Sequence, residues 1–274
     1  MNEMPRGSEG FHEPPADAPA QRPGPAPDDA PVPVPESRSW LTRYAGLPQI
    51  GWTPLTVFFG ILTAIGISFV GTLPIAIADR DLESTVAKNL AQGMVAAGLA
   101  GAALIFALSD AGGRLREALR RLGLRGFALR IIGIAVVGWL AYVALAALAS
   151  PLLQPEQQDI TREIGGDDQD VLNLVIGGFL IVIVAPISEE LFFRGFMFAG
   201  LRSSMPIWPA AVISAIVWGS LHLTGGNVGV AVQIAIFGVV LAWLYERSGT
   251  LWAPVVAHAI NNTIAFVLLS TDVL

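Results

Sequence analysis

The sequence predicts an all-α, polytopic transmembrane bundle of about seven spans, preceded by a disordered N-terminal tail. Composition is the first reason: 53% of residues are apolar and only 14% charged, against about 25% charged in soluble domains. The mean hydropathy is +0.61. Spacing is the second, because apolar runs of roughly 20 residues, the length a helix needs to cross a bilayer, recur along the chain. The third is an absence: period-two alternation, the mark of a membrane β-barrel, is missing.

Residues 1–45 are rich in Pro, Ala and Asp, as in PPADAPAQRPGPAPDDAPVPVPE. Such a segment cannot bury enough apolar surface to offset its ordering entropy. It also lacks the basic and apolar regions of a secretory signal. His12 lies there and receives no role. Residues 46–274 form the bundle, with candidate spans Pro54–Ala78, Leu90–Leu108, Ile131–Ala149, Val171–Ile187, Ile207–Leu221, Val228–Tyr245 and Leu251–Leu269. The fourth is expected to continue as helix to about Arg202. The fifth is short enough to be re-entrant. Gly93, Gly98 and Gly101 recur at helical spacing and suit close helix packing.

Charge sets the expected orientation. Arg114, Arg116, Arg120, Arg121, Arg125 and Arg130 crowd the loop between spans two and three. The next loop is acidic and has only Arg162. Basic loops stay in the cytoplasm, so the N-terminus and the 110–130 loop are expected inside the cell membrane and the 150–170 loop outside. REALRRLGLRG could lie on the inner face as an amphipathic helix, but the simpler reading is a positive-inside anchor. The net charge of −6 leaves no basic patch for nucleic acid. With no cysteine, thiolate metal sites and cysteine nucleophiles are excluded.

Chemistry is concentrated in the C-terminal half. SEELFFRGF places Glu189, Glu190 and Arg194 in an otherwise apolar run, where an unpaired charge is costly. Glu190 and Arg194, at i and i+4 with the acid first, are spaced to pair. Glu189, about 100° round the helix, is then free for other work. His222 ends WGSLH, and His258 and Asn262 share a helix face in HAINN. A helical hairpin through Ser203–Pro206 returns Glu190 and His222 to similar depth. His258, near the turn at Ser248–Gly249, is expected closer to the cytoplasmic face. A carboxylate can take a proton from attacking water, while His and Asn donate to an oxyanion. Alternatively Glu189, His222 and His258 could hold a metal, zinc being the candidate, that acidifies the water. H-E-x-x-H and G-x-S-x-G are both absent.

These three motifs in order, EELFFR, WGSLH and HAINN, resemble the E-E-x-x-x-R, F-x-x-x-H and H-x-x-x-N motifs of the CPBP family of CAAX-protease and bacteriocin-processing membrane endopeptidases. The resemblance covers about residues 171–270. It implies a helical bundle with an intramembrane active site that cleaves a membrane-associated protein or peptide. It further implies that Glu189 activates water with help from His222, that His258 and Asn262 stabilise the oxyanion, and that Glu190 and Arg194 support the site, with metal-dependent and metal-free mechanisms both open. Trp218 stands where the family has Phe and is read as chemically silent. Arginine-heavy loops and the Pro/Ala-rich tail fit a bacterial source, for which a prenylated substrate is not expected. Two other classes compete: a non-catalytic immunity or scaffold protein binding peptides in the same pocket, and a proton-coupled transporter. The transporter is disfavoured by the lack of repeats and of charge in the first three spans.

Topology is directly testable. Reporter fusions after Asp170 and after Leu274 should both report an external location. An external 170 with an internal 274 would make the fifth span re-entrant.

Overall fold

The computed structural model describes residues 47–82, 84–155, 171–223 and 227–270. The expected tail at 1–45, residues 156–170 of the acidic loop, and Leu274 lie outside the described residues. Among the described residues there are eight helices: α1 Pro54–Ala78, α2 Thr85–Asp110, α3 Leu115–Arg121, α4 Arg130–Leu153, α5 Val171–Arg202, α6 Ile207–Ser220, α7 Val228–Ser248 and α8 Trp252–Ser270. No strand occurs among the described residues.

Local chemistry sets several helix ends. Ser84 Oγ accepts from Ala87 N at the start of α2, and Asn227 Oδ1 from Val230 N at the start of α7, each satisfying an orphan donor of the first turn. Gly249, in the left-handed region at φ 67°, ends α7 with its N–H on Tyr245 O.

Among the described residues, five helices, α1, α2, α4, α5 and α7, are long and apolar enough to cross a membrane. The protein is therefore a multi-pass membrane protein. The expectation of seven spans is met by five on length and composition, because α6 and the Trp252–Leu268 stretch of α8 are shorter. At 1.5 Å per residue, the 14 residues of α6 reach only about 21 Å of a roughly 30 Å hydrocarbon core. The α1 surface is consistent with lipid as its solvent: only Val57, Gly60 and Ala64 are buried, while Phe58, Phe69, Val70 and Ile77 are exposed.

One end of the bundle is closed by polar ties. Gly51 N donates to Asp110 Oδ2, Tyr245 OH to Leu122 O, and Leu251 N to Gly123 O. Arg202 makes a bidentate, buried pair with Glu246, at 2.8 and 3.1 Å. The starts of α1 and α8, the ends of α2, α5 and α7, and the arginine loop thus gather together. That loop folds into α3, whose Ala118 is buried, followed by the fully buried Leu122. It is therefore docked onto the bundle end and is more than a charged anchor.

α6 leaves this end and lies antiparallel to α7. Gly219 and Gly238 permit the contact: a Cβ on the first would stand 2.6 Å from Ala231 O, and on the second 2.8 Å from the Ala215 side chain. α7 begins at the opposite end of the bundle, where Gly229 packs on Leu153 O at the end of α4. Of the three glycines expected to serve packing, only Gly98 does so tightly, against Ala64 O and Ser68. Gly93 faces open space and Gly101 makes ordinary contact with Ile67.

Glu117 clips α3 through Arg120 and Arg121. Hydrogen bonds from Arg120 and then Arg121 hold its carboxyl well below the ordinary 4.5, at about 2. A depressed folded value contributes stability that is complete above about pH 4.5 and is lost as pH falls toward about 2. Amide protection factors in residues 114–125, exchange rates referred to the intrinsic rate at each pH, should therefore fall over that window in the wild type. In Glu117→Gln the fall should be smaller, with protection already lower at neutral pH.

Candidate active site

α5 is not a uniform helix. Its Leu180–Val184 and Leu191–Phe198 segments are π-helical, and Ala185–Glu190 between them is α-helical. Pro186 explains the first widening. It has no N–H to donate and would disrupt a regular helix, so the Ala185 N–H reaches back five residues to Leu180 O. Ile181 O then has neither its α-helical partner, Ala185, nor a π-helical one, because position 186 is proline. Asn262 Nδ2 from α8 takes that carbonyl at 3.0 Å. In the second wide segment, Phe193 O accepts from Ser214 Oγ and Phe196 O from the Trp52 indole, both at 3.0 Å. Such π segments concentrate at functional sites, and here they flank the two glutamates.

Glu190 and Arg194 lie in the deepest layer. Glu190 is fully buried and Arg194 is 1% exposed. Glu190 Oε1 accepts from Arg194 at 2.8 Å and stands 2.9 Å from His258 Nδ1. The expected Glu190–Arg194 pair is present, and His258 joins it. His258 therefore lies level with Glu190, not nearer the end of the bundle. The difference has a physical cause: Thr250 and Leu251 are drawn inside beneath Gly123, whereas Ser204 and Pro206 are exposed.

Glu189 points elsewhere. Its Oε2 accepts from the Trp218 indole Nε1 at 2.6 Å, and its other oxygen has no hydrogen-bond partner among the described residues. Trp218 O lies 3.1 Å from His222 Nδ1. A carbonyl only accepts, so His222 carries a proton on Nδ1, and its remaining polar atom is Nε2. The same argument for His258 against the Arg194-paired carboxylate leaves its Nε2 as the free polar atom. Sequence reasoning treated Trp218 as silent, and the structure corrects this. The available signal was chemical: replacing Phe with Trp adds an N–H donor.

Glu189, His222, His258 and Asn262 line one cavity of about 610 Å³. Trp218, Phe237 and Tyr142 supply apolar wall, and Lys88, Asn89 and Gln92 of α2 a polar one. The cavity reaches the surface at the exposed Lys88 and Leu221, toward the end opposite the arginine loop. Glu190 and Arg194 do not line it; they sit behind it. Among the described residues, no three His, Asp or Glu side chains come close enough to hold one metal ion. Glu189, His222 and His258 thus do not make a three-ligand set in this arrangement.

A helical membrane bundle with paired glutamates, two histidines and an asparagine around an intramembrane cavity defines the class. Residues 171–264 match the family described as "Type II CAAX prenyl endopeptidase Rce1-like". The chain is 30% identical over 86 residues to a Bacillus subtilis (strain 168) protein named "Putative membrane peptidase YdiL", covering 31% of this chain and 34% of that one. It is 28% identical over 141 residues to an Escherichia coli protein named "Uncharacterized 24.3 kDa protein", covering 50% of this chain and 64% of that one. The matches thus span less than two thirds of these relatives. No solved structure matches. Residues 171–264 thus carry a likeness to the CPBP/CAAX protease family.

Two substitutions separate the supporting roles. Glu190→Gln leaves Arg194 as a buried charge without its counter-ion and should cost about 3–5 kcal/mol, read as a lowered unfolding temperature in detergent. Asn262→Ala leaves Ile181 O without a donor and should cost about 1–3 kcal/mol. If Glu190→Gln is inactive but as stable as the wild type, the roles of Glu189 and Glu190 exchange.

Proposed function

We propose that the protein is an intramembrane endopeptidase of the CAAX-protease type that hydrolyses a peptide bond in a membrane-associated protein or peptide. The observation that carries this reading is that Glu189, His222, His258 and Asn262, from α5, α8 and the end of α6, line one cavity within an otherwise apolar bundle. Buried ionisable groups in a membrane default to functional hypotheses, and these are the groups that peptide hydrolysis requires.

The free oxygen of Glu189 takes a proton from water as the water oxygen bonds to the scissile carbonyl carbon. His222, through Nε2, orients that water. The developing oxyanion faces the second Asn262 Nδ2 hydrogen, the first being held by Ile181 O, and His258 Nε2 when it carries a proton. When the C–N bond breaks, Glu189 returns the proton to the leaving amine. Glu190 and Arg194 hold His258 in place from behind. In the orientation set by the arginine loop, the N-terminus is cytoplasmic and the cavity opens toward the outer face.

Glu189→Gln should leave folding and membrane insertion intact and reduce cleavage of a membrane-tethered reporter-peptide library by about 10²–10⁴-fold. Wild-type turnover by the folded variant removes Glu189 from the mechanism. If the wild type cleaves no library member, the non-catalytic binding reading takes precedence. Metal-stripped protein should keep its turnover. Loss that zinc restores would recast Glu189, His222 and His258 as ligands.

A further inference from the structure

Trp218 is 2% exposed and contacts Glu189, Arg194, His222 and His258. Its indole N–H donates to Glu189 Oε2 at 2.6 Å. Its ring lies under the Arg194 guanidinium, 4.3 Å from centroid to Cζ. The His258 ring meets it edge-on at 5.2 Å and the His222 ring at 5.7 Å. Its backbone carbonyl pairs with His222 Nδ1.

Most of these contacts would survive in phenylalanine, which also offers a ring face, a ring edge and a carbonyl. The indole N–H would not. It makes the one hydrogen bond that Glu189 forms among the described residues. Glu189 is only half-buried, and a carboxylate on a flexible stem facing a cavity rotates freely unless something holds it. A buried indole N–H must also find an acceptor, so the bond satisfies both partners. It occupies Oε2 and leaves the other oxygen for water.

Resting on the endopeptidase reading above, we propose that Trp218 is a positioning residue that aims the Glu189 carboxylate through its indole N–H. The ring is itself fixed, with Arg194 on its face and Phe193 and Phe237 at its sides, centroids 6.4 and 6.2 Å away. Glu189 is thereby tied to the rigid Glu190–Arg194–His258 cluster, although the helix directs the two adjacent glutamates apart. Misplacement of a reacting group by about 1 Å can cost roughly 10²-fold in rate. The effect should appear in turnover, because the N–H touches the base and not the substrate.

The test compares the wild type with Trp218→Phe in proteoliposomes, using the best-cleaved member of the reporter-peptide library. The expected result is an unchanged unfolding temperature, an unchanged KM and a kcat lowered roughly 10- to 100-fold. An unchanged kcat overturns the proposal. So does a kcat loss that merely follows a lowered unfolding temperature, which would mark a packing role. A second measurement is independent of activity and of the stability of that variant. In protein carrying ¹⁵N-labelled tryptophan, the Trp218 indole resonance should shift upfield in Glu189→Gln, where the charged acceptor is lost, and stay in place in Glu117→Gln. An unmoved resonance in Glu189→Gln overturns the bond itself. If the wild type cleaves nothing, the endopeptidase reading fails, and the resonance still decides whether Trp218 holds Glu189. A retained kcat in Trp218→Phe beside an inactive Glu189→Gln overturns the positioning role alone.

Discussion

The buried charge of Glu190 is the constraint on which the site depends. A carboxylate with no exposure, inside a bundle whose outer surface suits lipid, would be strongly unfavourable alone. Arg194 and His258 offset that cost by converging on one oxygen, Oε1. The other, Oε2, is buried without a partner among the described residues. Breaking such a pair costs far more than making it contributes, so α5 and α8 are held at one relative depth. Once they are so held, Asn262, one turn beyond His258, lies level with Ile181, and the polar wall of the cavity is built.

The backbone of α5 is the second part of the same design. Pro186 removes a donor, the helix widens before it, and Ile181 O is released. A carbonyl without a donor inside a membrane bundle is costly, and Asn262 relieves it. One asparagine thus joins two helices and keeps a second N–H hydrogen in reserve. The wide Leu191–Phe198 segment works similarly, through Trp52 and Ser214. The carbonyls released by the wide segments of α5 thus become contacts with α8, α6 and the residues preceding α1. These contacts tie the N-terminal helices, which contribute Lys88, Asn89 and Gln92 to the cavity wall, to the half that carries the two glutamates and two histidines.

Arg202–Glu246, Tyr245–Leu122 and the docked α3 tie the bundle together on the arginine-rich side. The cavity reaches the surface at the other end, at Lys88 and Leu221.

Much was legible from the sequence. Apolar runs set the helices, because a lipid-facing helix must be apolar along its whole length; Pro54–Ala78 matches residue for residue, and α5 does run to Arg202. The Glu190–Arg194 pair followed from helical spacing alone. Glu189, His222 and His258 stood out because an ionisable group in such a run needs a partner or a use, and Asn262 because it shares a helix face with His258. Other features depended on contacts distant in the chain, which periodicity does not encode. His258 reaches the depth of Glu190 only because Leu251 is drawn beneath Gly123, 128 positions earlier in the chain. The arginine loop folds into α3 because Ala118 and Leu122 find a pocket at the bundle end. Trp218 gains its role only when α6 packs beside α5 and brings an indole N–H to Glu189. Spacing along one helix determines which residues share a face; only packing between helices determines which donor meets which acceptor.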